Sequence, residues 1–97
     1  RVIQPGGDPS LKPGTVFDLK DENRLGAGPG NDVVLHDRYI SGTHARLRWD
    51  GSGWWVEDLN SRNGTYVNRQ LIPPGKAQPL PKGGVLEIGD MAFEVVE

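Results

Sequence analysis

The stretch Ala45-Arg46-Leu47-Arg48-Trp49-Asp50-Gly51-Ser52-Gly53-Trp54-Trp55-Val56-Glu57-Asp58-Leu59 decides how the chain is read. Ala45, Leu47 and Trp49 alternate with Arg46, Arg48 and Asp50. That is the period-two pattern of a strand with one face in a core and the other in water. Asp50–Gly53 joins an Asp, a Ser and two glycines, which predicts a hairpin turn. Residues 54–59 then return as the antiparallel partner. A lone hairpin is marginal in water, so its apolar face needs further strands to cover it.

Working outward, the chain supplies them. Strand patterns are expected at Thr15–Leu19, Val33–Leu35, Thr65–Asn68, Val85–Ile88 and Met91–Val96, where Met91, Phe93 and Val95 share one face. Arg1–Gln4 starts extended and is stopped by Pro5-Gly6-Gly7. Lys20–Asn23 reads as a charged turn, and Arg24–Leu25 leads into the breaker cluster Gly26-Ala27-Gly28-Pro29-Gly30. His36–Thr43 reads as a polar loop, Asn60–Gly64 as a tight loop and Gly89-Asp90 as a turn. Pro73–Lys82 holds four of the eight prolines and is expected to be irregular. The chain has 14 Gly and 8 Pro in 97 residues, and its longest stretches free of both are Thr15–Leu25 and Asn31–Ser41. This spacing excludes a helical bundle and fits an all-β sandwich of two packed sheets, with about eight to eleven short strands.

Charge and composition exclude whole classes of function. The net charge is −2 and no basic run is present, a poor basis for nucleic-acid binding. With no Cys there is neither a disulfide scaffold nor a thiolate metal site. Nothing approaches the roughly 18 apolar residues of a membrane span, so direct membrane insertion is not expected and a cytoplasmic location is. The length fits one domain over residues 1–97. The opening at Arg1 rather than Met fits a segment of a larger protein.

Three candidate chemistries are weak in this sequence. A phosphate-cradling glycine loop at 26–30 would need a helix after it, and the strand-like Val33-Val34-Leu35 follows instead. Ser41, His44 and Asp58 contain the residue types of a hydrolase triad, without the strand-to-helix elbow of a nucleophilic Ser. His36, Asp37 and His44 lack a metal-ligand spacing. More specific are Ser41-Gly42-Thr43-His44, Ser61-Arg62-Asn63-Gly64-Thr65 and Asn68, which set hydroxyls, amides and a cation on two loops flanking the hairpin. Two readings stand on residue chemistry alone. One is a clamp for an extended peptide and an anion. The other is a well-capped turn.

The order of motifs carries a resemblance. Asn31-Asp32-Val33-Val34-Leu35, Ser41-x-x-His44-Ala45 and Trp55-Val56-x-Asp58-Leu59-x-Ser61-x-Asn63-Gly64-Thr65-x-Val67-Asn68 are similar to the forkhead-associated (FHA) domain. So are Leu80-x-x-Gly83, Ile88-Gly89-Asp90 and Phe93. The likeness runs from about Thr15 to Glu97. It implies an eleven-stranded β-sandwich of two mainly antiparallel sheets whose end loops bind phosphothreonine peptides. It implies no catalytic activity, cofactor or metal. The implied partner is a protein phosphorylated on Thr by a Ser/Thr kinase, in signalling.

Carried over by position, Ser41 would hydrogen-bond the phosphate, with Gly42 beside it. Asn63 would bind the peptide backbone just after the phosphothreonine, and Arg62 would lie against the phosphate and the threonine methyl. Gly26, His44, Gly64, Thr65 and Asn68 would support the binding loops. Two positions depart from the pattern. Ala27 stands where the family normally has its main phosphate-binding Arg, and Gly42 where it usually has Arg or Asn. A phosphate carries about −1.5 to −2 charge at neutral pH. Losing one charged hydrogen-bonding partner costs on the order of ten- to more than a hundredfold in affinity. Arg24, Arg38 and Arg62 are the cations placed to compensate. The expectation is therefore weakened phosphothreonine binding. The alternatives are a phosphate-independent interaction module, or the accessory domain of a larger enzyme or of a secretion or signalling protein.

Overall fold

The 45–59 hairpin forms. In the computed structural model, which describes residues 2–6, 8 and 11–95, Ala45–Trp49 pairs antiparallel with Trp54–Asp58, from Ala45 opposite Asp58 to Trp49 opposite Trp54. Asp50 closes the turn. One carboxylate oxygen accepts the N–H groups of Ser52 and Gly53, each at 2.8 Å, and the other accepts the Trp55 indole N–H at 2.6 Å. Gly51 supplies the left-handed backbone the turn needs, with φ of 96°. Ala45, Leu47 and Val56 are buried, while Arg46 reaches over the outer face to Glu57 and Glu22.

Ten strands are described: β1 Val2–Pro5, β2 Glu22–Gly26, β3 Val33–Val34, β4 Ala45–Trp49, β5 Trp54–Asp58, β6 Thr65–Val67, β7 Gln70–Leu71, β8 Gln78–Leu80, β9 Val85–Ile88 and β10 Met91–Glu94. One sheet runs β1-β10-β9-β6-β7 and the other β3-β2-β4-β5-β8. Every pairing is antiparallel except β2 with β3. Leu25, Leu47, Val56 and Leu80 of one sheet face Leu86, Ile88, Met91 and Phe93 of the other, forming the core. The expected all-β fold of two mainly antiparallel sheets is what forms, but the described residues hold ten strands and not eleven. Among them, no helix is long and apolar enough to cross a membrane.

Several expected boundaries move, each for a physical reason. Thr15–Leu19 is not a strand. Its alternation is used without a ladder: Phe17 packs edge-on against Phe93 at 6.4 Å, and Val16 stays exposed. The segment lines the opening between the sheets, beside Leu25 and Leu47 of one and Leu86 and Phe93 of the other. Lys20–Asn23 is only partly a turn, since β2 begins at Glu22. Asn23 is the buried polar residue that hid it. Its side chain donates to the Lys20 carbonyl at 2.7 Å and accepts the Lys20 N–H at 3.1 Å. Within Pro73–Lys82 the edge strand β8 forms despite Pro79, which an edge position tolerates. Residues 2–5 form one strand through Pro5, which was expected to stop it.

Candidate functional site

Antiparallel pairing of β4 with β5 brings the residue before Ala45 and the residue after Asp58 to the same end of the sandwich. Three loops meet there: 27–32, 36–44 and 59–64. The first two are zipped together by backbone. The Ala27 N–H donates to the Ser41 carbonyl and the Gly28 N–H to the Gly42 carbonyl, both at 3.0 Å. The Asn31 amide adds bonds to the carbonyls of Gly28 at 2.7 Å and Gly42 at 2.6 Å. This approach leaves no room at position 26, where a Cβ would stand 2.3 Å from the Gly42 carbonyl oxygen.

The second and third loops are joined by side chains. The Arg62 N–H donates to the Ser41 hydroxyl at 3.0 Å, and the Asn63 amide donates to the Tyr39 carbonyl at 2.8 Å. His44 is fully buried between them. Its Nδ1 lies 3.1 Å from the Ser41 N–H, and its Nε2 lies 2.8 Å from the Gly64 carbonyl oxygen. Since the backbone N–H can only donate, Nδ1 accepts and Nε2 carries the proton. Gly64 adopts φ of 85° beside Leu71, whose Cδ1 would lie 2.5 Å from an added Cβ.

Under the third loop Asp58 acts as an anchor. It accepts the hydroxyls of Ser61 at 2.5 Å and Thr65 at 2.6 Å, and the Ser61 N–H at 3.1 Å. The Ser61 hydroxyl in turn accepts the Gly64 N–H at 3.0 Å. Burial pushes the Asp58 carboxyl up. The Ser61 and Thr65 hydroxyls and the Ser61 N–H outweigh that and hold it below its ordinary value.

Ser41, Arg62 and Asn63 thus lie on adjoining loops at one end, with Arg62 and Asn63 exposed and Ser41 half-buried. The Ser41 oxygen accepts from Arg62, so its own proton remains available to donate. Gly42 is exposed and contributes its carbonyl to the zip. Ala27 presents no polar side chain, and its methyl packs against the core.

Other expectations shift. Asn68 does not support these loops. It sits at the far end of β6, where its N–H donates to the Val85 carbonyl and its side-chain oxygen accepts the Val85 N–H. Arg24 lies on β2 opposite Arg46, on the sheet face. Ser41, His44 and Asp58 do not form a relay. The two His44 nitrogens face the Ser41 N–H and the Gly64 carbonyl, and Asp58 faces Ser61 and Thr65. Among the described residues, no group of three His, Cys, Asp or Glu could hold a metal ion.

Sequence reading missed the structural parts of Asn31, Tyr39 and Asp58. Asp58-x-x-Ser61 carried a usable signal, since an Asp three residues before a Ser, followed by Asn-Gly, is a side-chain-capped turn pattern. Nothing in the sequence marks the Tyr39 carbonyl as a partner of Asn63.

Comparison with known proteins converges on one family. The model of the FHA domain matches residues 23–89. The FHA domain-containing protein FhaB of Mycobacterium tuberculosis is 42% identical over 71 residues, which cover 73% of this chain and 44% of FhaB. The chain therefore spans under half the length of that relative. An FHA structure from a study of phosphothreonine-dependent FHA domain interactions superposes with a TM-score of 0.77 at 30% identity, covering 87% of this chain and 86% of that one. The FhaA FHA domain complexed with the intracellular domain of Rv3910 gives 0.73 at 32% identity, covering 81% and 85%.

Proposed function

The chain belongs to the FHA-domain family, and on that premise we propose that it is a non-catalytic module binding phosphothreonine peptides weakly through Ser41, Arg62 and Asn63. The observation that carries this reading is the meeting of the second and third loops. Ser41, Arg62 and Asn63 sit there on adjoining loops at one exposed end, the Arg62 backbone N–H on the Ser41 hydroxyl and the Arg62 guanidinium on the Arg38 carbonyl, over a buried His44. Ser41 and Arg62 supply donors to a phosphate. Asn63 supplies an amide to the peptide backbone beyond it. Weakness follows from Ala27, which brings neither charge nor donor where the family normally has Arg.

Calorimetry with matched phosphorylated and unphosphorylated peptides tests the reading. The phosphorylated peptide is expected to bind in the micromolar range or weaker, and the unphosphorylated one not measurably. Equal binding of the two would replace this reading with a phosphate-independent interaction. Ala27→Arg tests the weakening. The Ala27 methyl packs against the core but the residue is only half-buried, and its backbone N–H is fixed on the Ser41 carbonyl. A long side chain that turns out from that contact is therefore expected to tighten the phosphorylated peptide about ten- to a hundredfold. An unchanged affinity would show that position 27 does not govern binding.

A further inference from the structure

We propose that the phosphate site is a two-arginine clamp in which Arg38, from the second loop, joins Arg62, from the third, in place of the cation absent at position 27. This inference rests on the phosphopeptide reading above.

The first loop cannot hold an anion in the usual way. Ala27 has no charge, and the N–H groups of Ala27, Gly28 and Asn31 are all committed to carbonyls. The compensating charge has to come from elsewhere. Lys20 pairs with Asp32, and Arg46 with Glu57 and Glu22, on the sheet side. Arg38 and Arg62 differ from these. Both are exposed, and neither has a carboxylate within ion-pair distance among the described residues.

The two arginines are also neighbours. The Arg62 guanidinium reaches the Arg38 carbonyl at 3.5 Å, while the Arg62 N–H sits on the Ser41 hydroxyl. The Asn63 amide bonds the next carbonyl, that of Tyr39. The backbones carrying both cations are therefore locked side by side next to Ser41. The Arg38 guanidinium rests on Tyr39. It lies 4.9 Å from the ring centroid, and its Nη2 donates to the phenol oxygen at 2.8 Å. That partner is neutral and exposed, so a dianionic phosphate outcompetes it. Like-charged guanidiniums brought together gain most from such a ligand, because the phosphate screens their mutual repulsion while accepting from both forks.

The test measures fluorescence anisotropy with a phosphothreonine peptide free of Asp and Glu, its unphosphorylated twin, and a third peptide with Asp after the phosphothreonine. Arg38→Gln and Arg62→Gln are each expected to weaken the acid-free phosphopeptide about tenfold, and Arg38→Lys less. If Arg38→Gln leaves that peptide unchanged while Ser41→Ala abolishes its binding, the clamp is wrong and the phosphopeptide reading stands. If Arg38→Gln weakens only the Asp-containing peptide, Arg38 reads a carboxylate and the clamp is again wrong. Inorganic phosphate, titrated while the Arg side-chain NMR signals are followed, separates the remaining case. Shifts at both Arg38 and Arg62, with no phosphopeptide bound, would uphold the clamp and overturn the peptide reading. No shift at Arg38 would overturn the clamp.

Discussion

Asp58 gathers three donors under the third loop, and its charge is what they bind. Its folded pKa lies below the ordinary 3.8, so the native state holds its proton less tightly than the unfolded chain. The associated stability is present above the unfolded value and is lost as pH falls through the lowered folded value. Asp58→Asn is expected to cost about 2–3 kcal/mol at pH 7. In urea titrations at neutral and strongly acidic pH, the gap between the two proteins should close in acid, where Asp58 of the native protein is itself protonated. A gap independent of pH would mean that shape, not charge, holds the loop. Two glycines make a second contrast. At Gly26 an added Cβ would clash with the backbone carbonyl of Gly42, which cannot swing aside as a side chain could, so Gly26→Ala should destabilise by about 1–3 kcal/mol and unzip the first two loops. At Gly42 nothing lies within 4 Å of an added Cβ. Gly42→Asn should therefore leave the melting temperature unchanged and tighten phosphopeptide binding by adding a donor beside Ser41.

The turn between β6 and β7 has Asn68 and Arg69 at φ of 49° and 69°, the two left-handed residues of a tight hairpin. Asn tolerates that region, whereas Arg is disfavoured by its Cβ. Arg69→Gly is expected to stabilise the domain by about 1 kcal/mol, read as a raised melting temperature with peptide binding unchanged, since the turn lies at the far end of β6 from Thr65. A loss of stability would show that the Arg69 side chain contributes more than its backbone strain costs. This turn also marks how far sequence reaches. Strands with strict alternation, such as Ala45–Trp49 and Met91–Glu94, were legible because a period of two has one physical meaning in a half-buried sheet. Thr15–Leu19 has the same period and is no strand. Alternation reports which side chains share a face, not that each is buried, since Leu19 and Trp49 stay exposed in step with Phe17 and Leu47, and it does not say whether the segment joins a ladder. β2 was blurred because the buried Asn23 satisfies itself locally on Lys20. The meeting of Ser41 with Arg62 and Asn63 was legible, because a hairpin must return its flanks to one end. The bond from Asn63 to the Tyr39 carbonyl was not, since a backbone acceptor carries no sequence mark.

The domain measures 33 × 27 × 26 Å and carries a net charge of −2, so its far field repels a phosphopeptide while the loop arginines attract it. The two effects respond to salt with opposite signs. If the whole-molecule charge governed encounter and affinity, added salt would screen repulsion and tighten binding. If Arg38 and Arg62 govern, added salt weakens it. Distance decides between them. At about 0.1 M salt the Debye length is roughly 10 Å, shorter than any dimension of the domain, so charges on the sheet faces are largely screened from the loop end. A phosphate on the loops lies within that length of the local cations and is attracted to them. Raising salt from about 0.1 M towards 1 M shrinks the screening length to roughly 3 Å and reaches even these close pairs. The dissociation constant of the phosphorylated peptide should therefore rise several-fold across that range, with most of the slope lost in the Arg38→Gln, Arg62→Gln double variant. Binding that tightens with salt would show instead that the net charge of the domain outweighs the cations at its tip.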